Sequence, residues 1–228
     1  MTEDDRVAAK RRAGNHAAES VPDGSVVGLG TGSTAAHAIE ALGERVADGL
    51  DVRGIPTSFQ SRARALEAGI PLTSLDAVET VDIAIDGADE VAQGDLVKGG
   101  GAAHAREKIV DAAADRFLVV VDTSKEAGVL SHPVPVEVLP AARPTATVAI
   151  RELGGVATLR QGSGKDGPVI TDNGNVVLDA DFGDIDAPGE LGRALASVPG
   201  VLEHGLFVDM ADEVIVGEAE GVRTENCG

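Results

Sequence analysis

Cysteine is nearly missing from this sequence of 228 residues: its one example, Cys227, lies beside the last residue. That excludes an internal disulfide framework and any zinc or iron–sulfur site built on a cysteine cluster. A metal would have to be held by histidine and carboxylate, yet the five histidines (16, 37, 104, 132 and 204) form neither an HxxxH nor an HxH pair. They read as surface or core imidazoles, and no metal is expected. Long apolar runs are missing too. Stretches such as Phe117 to Val121 fall far short of the roughly 18 to 20 residues of a membrane span. The opening MTEDDRVAAKRRAGNHAAES is charged and lacks the apolar region of a secretory signal. The expectation is a soluble, cytoplasmic protein with no membrane partner.

Basic charge is scarce. Nineteen lysines and arginines, only five of them lysine (10, 98, 108, 125 and 165), stand against 38 acidic residues, for a net charge of −19. A field of that sign repels nucleic acid and anionic membranes, so no nucleic-acid partner is expected. It repels a phosphorylated ligand as well, and any phosphate site must be built from local lysines and backbone N–H groups. Acidic, lysine-poor and 2% aromatic, the chain fits a protein kept soluble in concentrated salt, where self-repulsion is screened; maximal stability at low salt would exclude that habitat. What is present is ordinary: 43% hydrophobic and 25% charged residues describe a folded globular chain. Its length allows one large domain, or one with a smaller companion.

Residues Asp4 to Ser20 have helical spacing, and Pro22-Asp23-Gly24 turns the chain into an apolar strand, Ser25 to Leu29. GTGST follows, and then Ala35, Ala38, Ile39 and Leu42 at helical intervals. The alternation continues through strand 52–55, helix 58–68, strand 81–85, helix 102–114 and strand 117–121. Near-continuous apolar strands between helices argue a parallel sheet covered by helices on both faces. After Lys125 the character changes. The segment HPVPVEVLP, residues 132–140, reads as an extended crossing between domains, because each proline removes a ladder donor. Beyond it a helix over 145–153, a strand over 157–160, a hairpin pairing 169–170 with 176–179 around Thr171-Asp172-Asn173-Gly174-Asn175, a helix near 190–195 and a strand over 201–208 make a small α+β unit. The tail, with Glu213 to Val216, is expected to return to the first sheet.

Four clusters could carry chemistry. Gly28-Leu-Gly30-Thr31-Gly32-Ser33-Thr34 follows a strand and opens a helix, where backbone N–H groups and the positive helix end meet an anion. The competing reading is a tight turn with Ser33 or Thr34 as an N-cap. A dinucleotide fits poorly: the spacing is not GxGxxG, and the second strand ends in Ile55-Pro56-Thr57-Ser58 with no acid for a ribose. Asp86-Gly87-Ala88-Asp89 follows an apolar strand, where two carboxylates can flank one ligand or make no more than a polar turn. Lys98-Gly99-Gly100-Gly101 gains nothing for a core, which points to backbone closely approaching something small. The helix after it carries Glu107, which alone would pass as an exposed helix glutamate. Lys125 follows the strand 117–121 and alone would pass as a loop lysine. Four such ends on one sheet describe a sugar-phosphate site.

The motifs GLGTGSTAAHAIEALG, DGADEV, LVKGGGAAHAREKIV, VVVDTSK, PVPVEVLP and VITDNGNVVLD occur in the order found in ribose-5-phosphate isomerases of the type A family, which this chain resembles over nearly its whole length. The resemblance implies an α/β fold: a Rossmann-like, mostly parallel catalytic domain of residues 1–130 with the return of 207–228, and a smaller α+β, ferredoxin-like domain of 131–206 concerned with assembly. It implies the reversible interconversion of D-ribose 5-phosphate and D-ribulose 5-phosphate, with no metal and no organic cofactor. Glu107 is then the proton-transferring base and Lys98 the oxyanion partner. Asp86 and Asp89 handle hydroxyls, and Thr31, Gly32, Ser33, Thr34, Gly87, Ala88, Gly99, Gly100, Gly101 and Lys125 hold the substrate; Lys10 matches a position near the phosphate. A homodimer or homotetramer is implied. The spacer between DGADE and KGGG is a residue shorter than the family's pattern. A CoA transferase would need a longer chain. A non-catalytic sugar-phosphate sensor is the alternative; it would call for a DNA-binding helix pair where one helix precedes the first strand.

Overall fold

The computed structural model describes residues 2–164 and 166–227. They form two compact units: one made of the chain through Ala88, Arg106–Glu126 and the chain from Asp209 onward, the other of Asp89–Ala105 and Ala127–Val208. In chain order the elements are α1 (Glu3–Glu19), β1 (Val26–Leu29), α2 (Ser33–Ala47), β2 (Arg53–Pro56), α3 (Phe59–Glu67), β3 (Ile83–Gly87), β4 (Glu90–Ala92), β5 (Asp95–Val97), α4 (His104–Ala112), β6 (Phe117–Asp122), β7 (Val134–Val138), α5 (Arg143–Glu152), β8 (Val156–Leu159), β9 (Val176–Asp181), α6 (Pro188–Ala196), β10 (Val201–His204), β11 (Leu206–Phe207), β12 (Glu213–Gly217) and β13 (Val222–Asn226). Among the described residues no helix is long and apolar enough to cross a membrane.

The first unit is the expected Rossmann-like layer structure. Its sheet runs β13-β12-β6-β3-β1-β2, parallel throughout except for β13, which turns back antiparallel along β12. The tail thus returns to the first sheet. Strands β1 and β6 are buried along their whole length, as their unbroken apolar runs require of a sheet covered on both faces. On one face Ala13, Ala17 and Ala18 of α1 and Ala38, Ile39 and Leu42 of α2 pack against Val27, Leu29, Ile83, Ile85, Leu118, Val120 and Ile215. On the other, Val110 of α4 packs with Val26, Ile55 and Val81. At the antiparallel edge the Arg223 guanidinium sits among Glu126, Glu218 and Glu225, which raise its pKa and keep it charged.

The second unit follows the order β7-α5-β8-β9-α6-β10 with sheet order β10-β7-β9-β8, all antiparallel. That is the ferredoxin-like arrangement. Val134, Val136 and Val138 line one face of β7 and meet Ala146 and Ile150 of α5 and Leu195 of α6. A three-stranded sheet, β11-β5-β4, belongs to the same unit.

Five sequence expectations change. Residues 89–105 cluster with the second unit rather than the first, because β5 pairs with β11 and Asp89 N–H bonds to Val97 O. The Lys98 loop therefore follows a strand of the three-stranded sheet, not the main one. The proline segment is no mere crossing: β7 is a buried interior strand. Pro135 is tolerated because its carbonyl takes the Gly205 N–H (2.7 Å) just past the end of β10, so its missing donor faces that side and the ladder to β9 is intact. The long strand expected over 201–208 is broken at Gly205 into β10 and β11, which join different sheets. Finally, the Asn-Gly turn closes with only a single bridge, Ile170 to Val176, while β9 takes β8 and β7 as its partners. Thr171, Asn173 and Asn175 spend their side chains on the carboxylate of Glu137, which is fully buried in β7.

Candidate active site

In the first unit β1 ends at Leu29 and α2 begins at Ser33, so Gly30, Thr31 and Gly32 make the whole turn. The N-cap is Gly32, at φ 112°, with no side chain capping the helix. This decides against Ser33 or Thr34 as the cap and leaves the first-turn N–H groups at a positive helix end, the arrangement that binds anions. Gly30 is there for a different reason. A Cβ at that position would stand 2.1 Å from Asp86 Oδ1 and 2.6 Å from Asp86 Cα. Asp86 itself, near the end of β3, is fully buried, and its Oδ1 accepts the N–H groups of Thr31 (2.9 Å) and Gly87 (2.7 Å). The Thr31 hydroxyl bonds to the Thr57 hydroxyl (2.9 Å) and donates to Ser58 Oγ (2.8 Å). Lys10 Nζ donates to Ser33 Oγ at 3.1 Å and lies 3.9 Å from buried Asp122. Lys125 ends a short 3-10 turn that Asp122 opens by accepting the Ser124 N–H.

Glu107 falls in the first turn of α4. This helix connects the parallel strands β3 and β6, so it runs back along the sheet and presents its N-terminus at the sheet's C-terminal edge. Glu107 shares a helix face with Val110, three residues on, which packs toward β1 and β2. It is 3% exposed, against the usual fate of a helix glutamate. Its neighbour Arg106 instead lays its guanidinium over the Phe59 ring, 5.4 Å from the centroid.

In the second unit β4 and β5 form a two-residue hairpin through Gln93 and Gly94, at φ 54° and 89°, the signature of a type I′ turn. Lys98 follows at once. Its N–H donates to Gly205 O (2.8 Å), its ammonium lies 5.3 Å from the centre of the Phe207 ring, and the residue is 2% exposed. The chain then turns through Gly99, at φ 105°, and Ala102, at φ 58°, with the Ala102 N–H donating to Gly99 O. Asp89 accepts the Gly100 N–H at 2.7 Å. Arg160 donates to the carbonyls of Gly99 (2.8 Å) and Gly100 (3.1 Å). His104, fully buried, packs against Gly99.

The first unit thus carries Thr31–Thr34, Asp86–Ala88, Glu107 and Lys125 at the ends of β1, β3 and β6 and the start of α4; the second carries Asp89 and Lys98–Gly101. Sequence reasoning passed over Thr57 and Ser58, which hold Thr31, although the Ser58 capping box of α3 is a readable signal. It also passed over Arg160 and Phe207, whose partners lie far away in sequence and leave no local mark.

A Rossmann-like sheet with an uncapped helix start and buried ionisable side chains beyond its strands defines an α/β enzyme. The comparisons give the family. Residues 53–221 match the model of ribose 5-phosphate isomerase A (phosphoriboisomerase A). The ribose-5-phosphate isomerase A of Haloarcula marismortui is 67% identical over 94% of each chain, and that of Trichodesmium erythraeum is 54% identical over 92% of this chain and 91% of the other. The solved ribose 5-phosphate isomerase A of Methanocaldococcus jannaschii superposes with a TM-score of 0.93 at 47% identity, covering 96% of this chain and 98% of that one. A D-ribose-5-phosphate isomerase solved in complex with phospho-erythronic acid gives a TM-score of 0.94 at 45% identity, with the same coverage. This chain belongs to the ribose 5-phosphate isomerase A family.

Proposed function

We propose that the chain is an aldose–ketose isomerase interconverting D-ribose 5-phosphate and D-ribulose 5-phosphate, with Glu107 as its base. One observation carries the reading: Asp86, Lys98 and Glu107, the ionisable residues to which the family resemblance gives the chemistry, are 0%, 2% and 3% exposed. Burying an ionisable group costs several kcal/mol unless something is gained by it, and such groups cluster where proton transfer is done.

In the forward direction the Glu107 carboxylate takes the C2 proton of the open-chain aldose. The electron pair left behind forms the C1–C2 double bond, and the C1 carbonyl oxygen becomes an alkoxide. Lys98 stabilises that charge; removal of one donor of this kind costs about 3 kcal/mol in other enzymes. The O2 proton then passes to O1, the C2 carbonyl forms, and protonated Glu107 returns its proton to C1. No electrons leave the sugar. Asp86 and Asp89 orient the hydroxyls and carry protons during ring opening. Ser33, Thr34, Lys125 and the N–H groups of the turn hold the phosphate, so that binding far from the reacting carbons positions them.

The test is turnover of ribose 5-phosphate by purified protein in molar potassium chloride, beside Glu107→Gln. The variant should lose about 10²- to 10⁴-fold in kcat while still binding phospho-erythronic acid, the ligand of the solved relative. In deuterium oxide the ribulose 5-phosphate should carry solvent deuterium at C1, which a direct hydride shift would not introduce. Binding without turnover in the parent chain would replace the isomerase with the sensor.

A further inference from the structure

A run of three glycines has more backbone freedom than any other tripeptide, so a substrate loop made of Gly99-Gly100-Gly101 needs bracing from outside itself. The brace is Arg160. Its Nη1 reaches both Gly99 O and Gly100 O, 61 and 60 residues away in sequence. Its other edge is held by Asp179, through Nε at 3.0 Å to Oδ2 and through Nη2 to Oδ1. A guanidinium can serve two carbonyls and grip both oxygens of a carboxylate at once because its five donors lie in one rigid plane; a lysine ammonium, with three donors on one atom, cannot.

The consequence follows from peptide geometry. A trans peptide holds its C=O and N–H on opposite sides, and no peptide bond among the described residues is cis. In the Gly99–Gly100 peptide the carbonyl faces Arg160 and the N–H faces Asp89. In the Gly100–Gly101 peptide the carbonyl again faces Arg160, so the Gly101 N–H points away from the guanidinium. Among the described residues that N–H has no acceptor. We infer that Arg160 is a positioning residue of the isomerase: by fixing two carbonyls it aims the Gly101 N–H at an oxygen of the bound sugar phosphate. The inference rests on the function proposed above and extends it to a side chain outside the family motifs.

Arg160→Lys keeps the charge and loses the fork; Asp179→Asn keeps Arg160 and loosens its anchor. Because a misaimed donor is felt most where charge develops, kcat for ribose 5-phosphate should fall about 10- to 100-fold in Arg160→Lys and about 3- to 10-fold in Asp179→Asn. KM should stay within about threefold in both, and rates are read well below each variant's melting temperature. A purely architectural arginine would lower the melting temperature and leave kcat alone. An Arg160→Lys enzyme with kcat within twofold of the parent overturns the inference, and so does failure of both variants to fold. If the parent binds ribose 5-phosphate but does not turn it over, the isomerase reading fails separately. Arg160 then stands only if Arg160→Lys weakens that binding, measured by calorimetry, at least tenfold. A parent that neither binds nor reacts sinks both.

Discussion

The two glycine-rich segments of this chain solve the same problem by opposite means. The Gly28–Thr34 turn is framed by its own neighbours: β1 enters it, α2 leaves it, and Asp86 from the adjacent strand closes against Gly30. The Lys98–Gly101 loop also follows a strand, β5, and precedes a helix, α4, but its glycines are shaped mainly by distant partners. Its carbonyls, amides and flanks are held by Arg160, Asp89 and Gly205, brought in from elsewhere in the second unit. One segment owes its shape to secondary structure, the other to tertiary contacts. Damage to the first should therefore appear as lost folding, and damage to the second as lost rate in a folded protein.

A matched pair of substitutions tests that contrast at its widest. In Gly30→Ala the new methyl would overlap the backbone of Asp86 as well as its carboxylate, and a buried backbone cannot swing aside. We expect destabilisation of about 3 kcal/mol or more, the upper range of overpacking, and little soluble activity. In Gly100→Ala the methyl would meet Asp89 Oδ1 at 2.6 Å, at the tip of a half-exposed side chain that can rotate, at the expense of its bond to the Gly100 N–H. Its melting temperature should stay within about 2 °C of the parent, since a surface change is worth about 0.5 kcal/mol or less, while kcat/KM falls about tenfold. Thermal melts with initial rates decide it, and a stable Gly30→Ala protein would break the comparison.

The same contrast explains how much of the molecule was readable in advance. The Rossmann-like layers, the anion turn and the return of the tail were legible because period and glycine placement are local signals: unbroken apolar strands, helical spacing after GTGST, glycines at a strand end. The β4–β5 hairpin hid in the spacer between two motifs, since its turn rests on a left-handed glutamine, Gln93, that sequence seldom betrays. Pro135 argued against a central strand, and only the end of β10 beside it makes one possible. The Asn-Gly turn looked like a hairpin because its asparagines cannot announce that they serve the buried Glu137. Arg160 shows the limit most plainly: nothing in LRQG sets it apart from any exposed arginine.

Lys10 sharpens the comparison from the other side, as a charged support that α1 brings to the turn beside Asp86, Thr57 and Ser58. It bonds to Ser33 and is the counter-charge of Asp122, whose Oδ2 is buried without a hydrogen-bond donor among the described residues. Lys10→Met should cost about 1 to 2 kcal/mol, as expected when a buried carboxylate loses a partner that is itself partly exposed. It should also raise KM for ribose 5-phosphate about three- to tenfold with kcat nearly unchanged, because only uniform binding is removed. Adding Asp122→Asn should return most of the stability and none of the KM. Recovery of both together would mean that Lys10 acts through Asp122 alone.

Salt should separate the two segments most gently. Under the proposed function the turn attracts phosphate with Lys10 beside it, inside a protein of net charge −19, whereas the loop acts through short hydrogen bonds. At about 1 M salt the Debye length is roughly 3 Å, so the diffuse repulsion of the surface is removed while contact interactions are largely kept. KM for ribose 5-phosphate should then fall about two- to fivefold between 0.1 and 2 M potassium chloride. Lys125→Gln should change the steepness of that fall, since it alters the charges the phosphate meets, and Arg160→Lys should leave the slope as it is. Initial rates across a salt series measure both, and a KM that rises with salt would show that the local lysines, not the acidic surface, dominate the approach of the substrate.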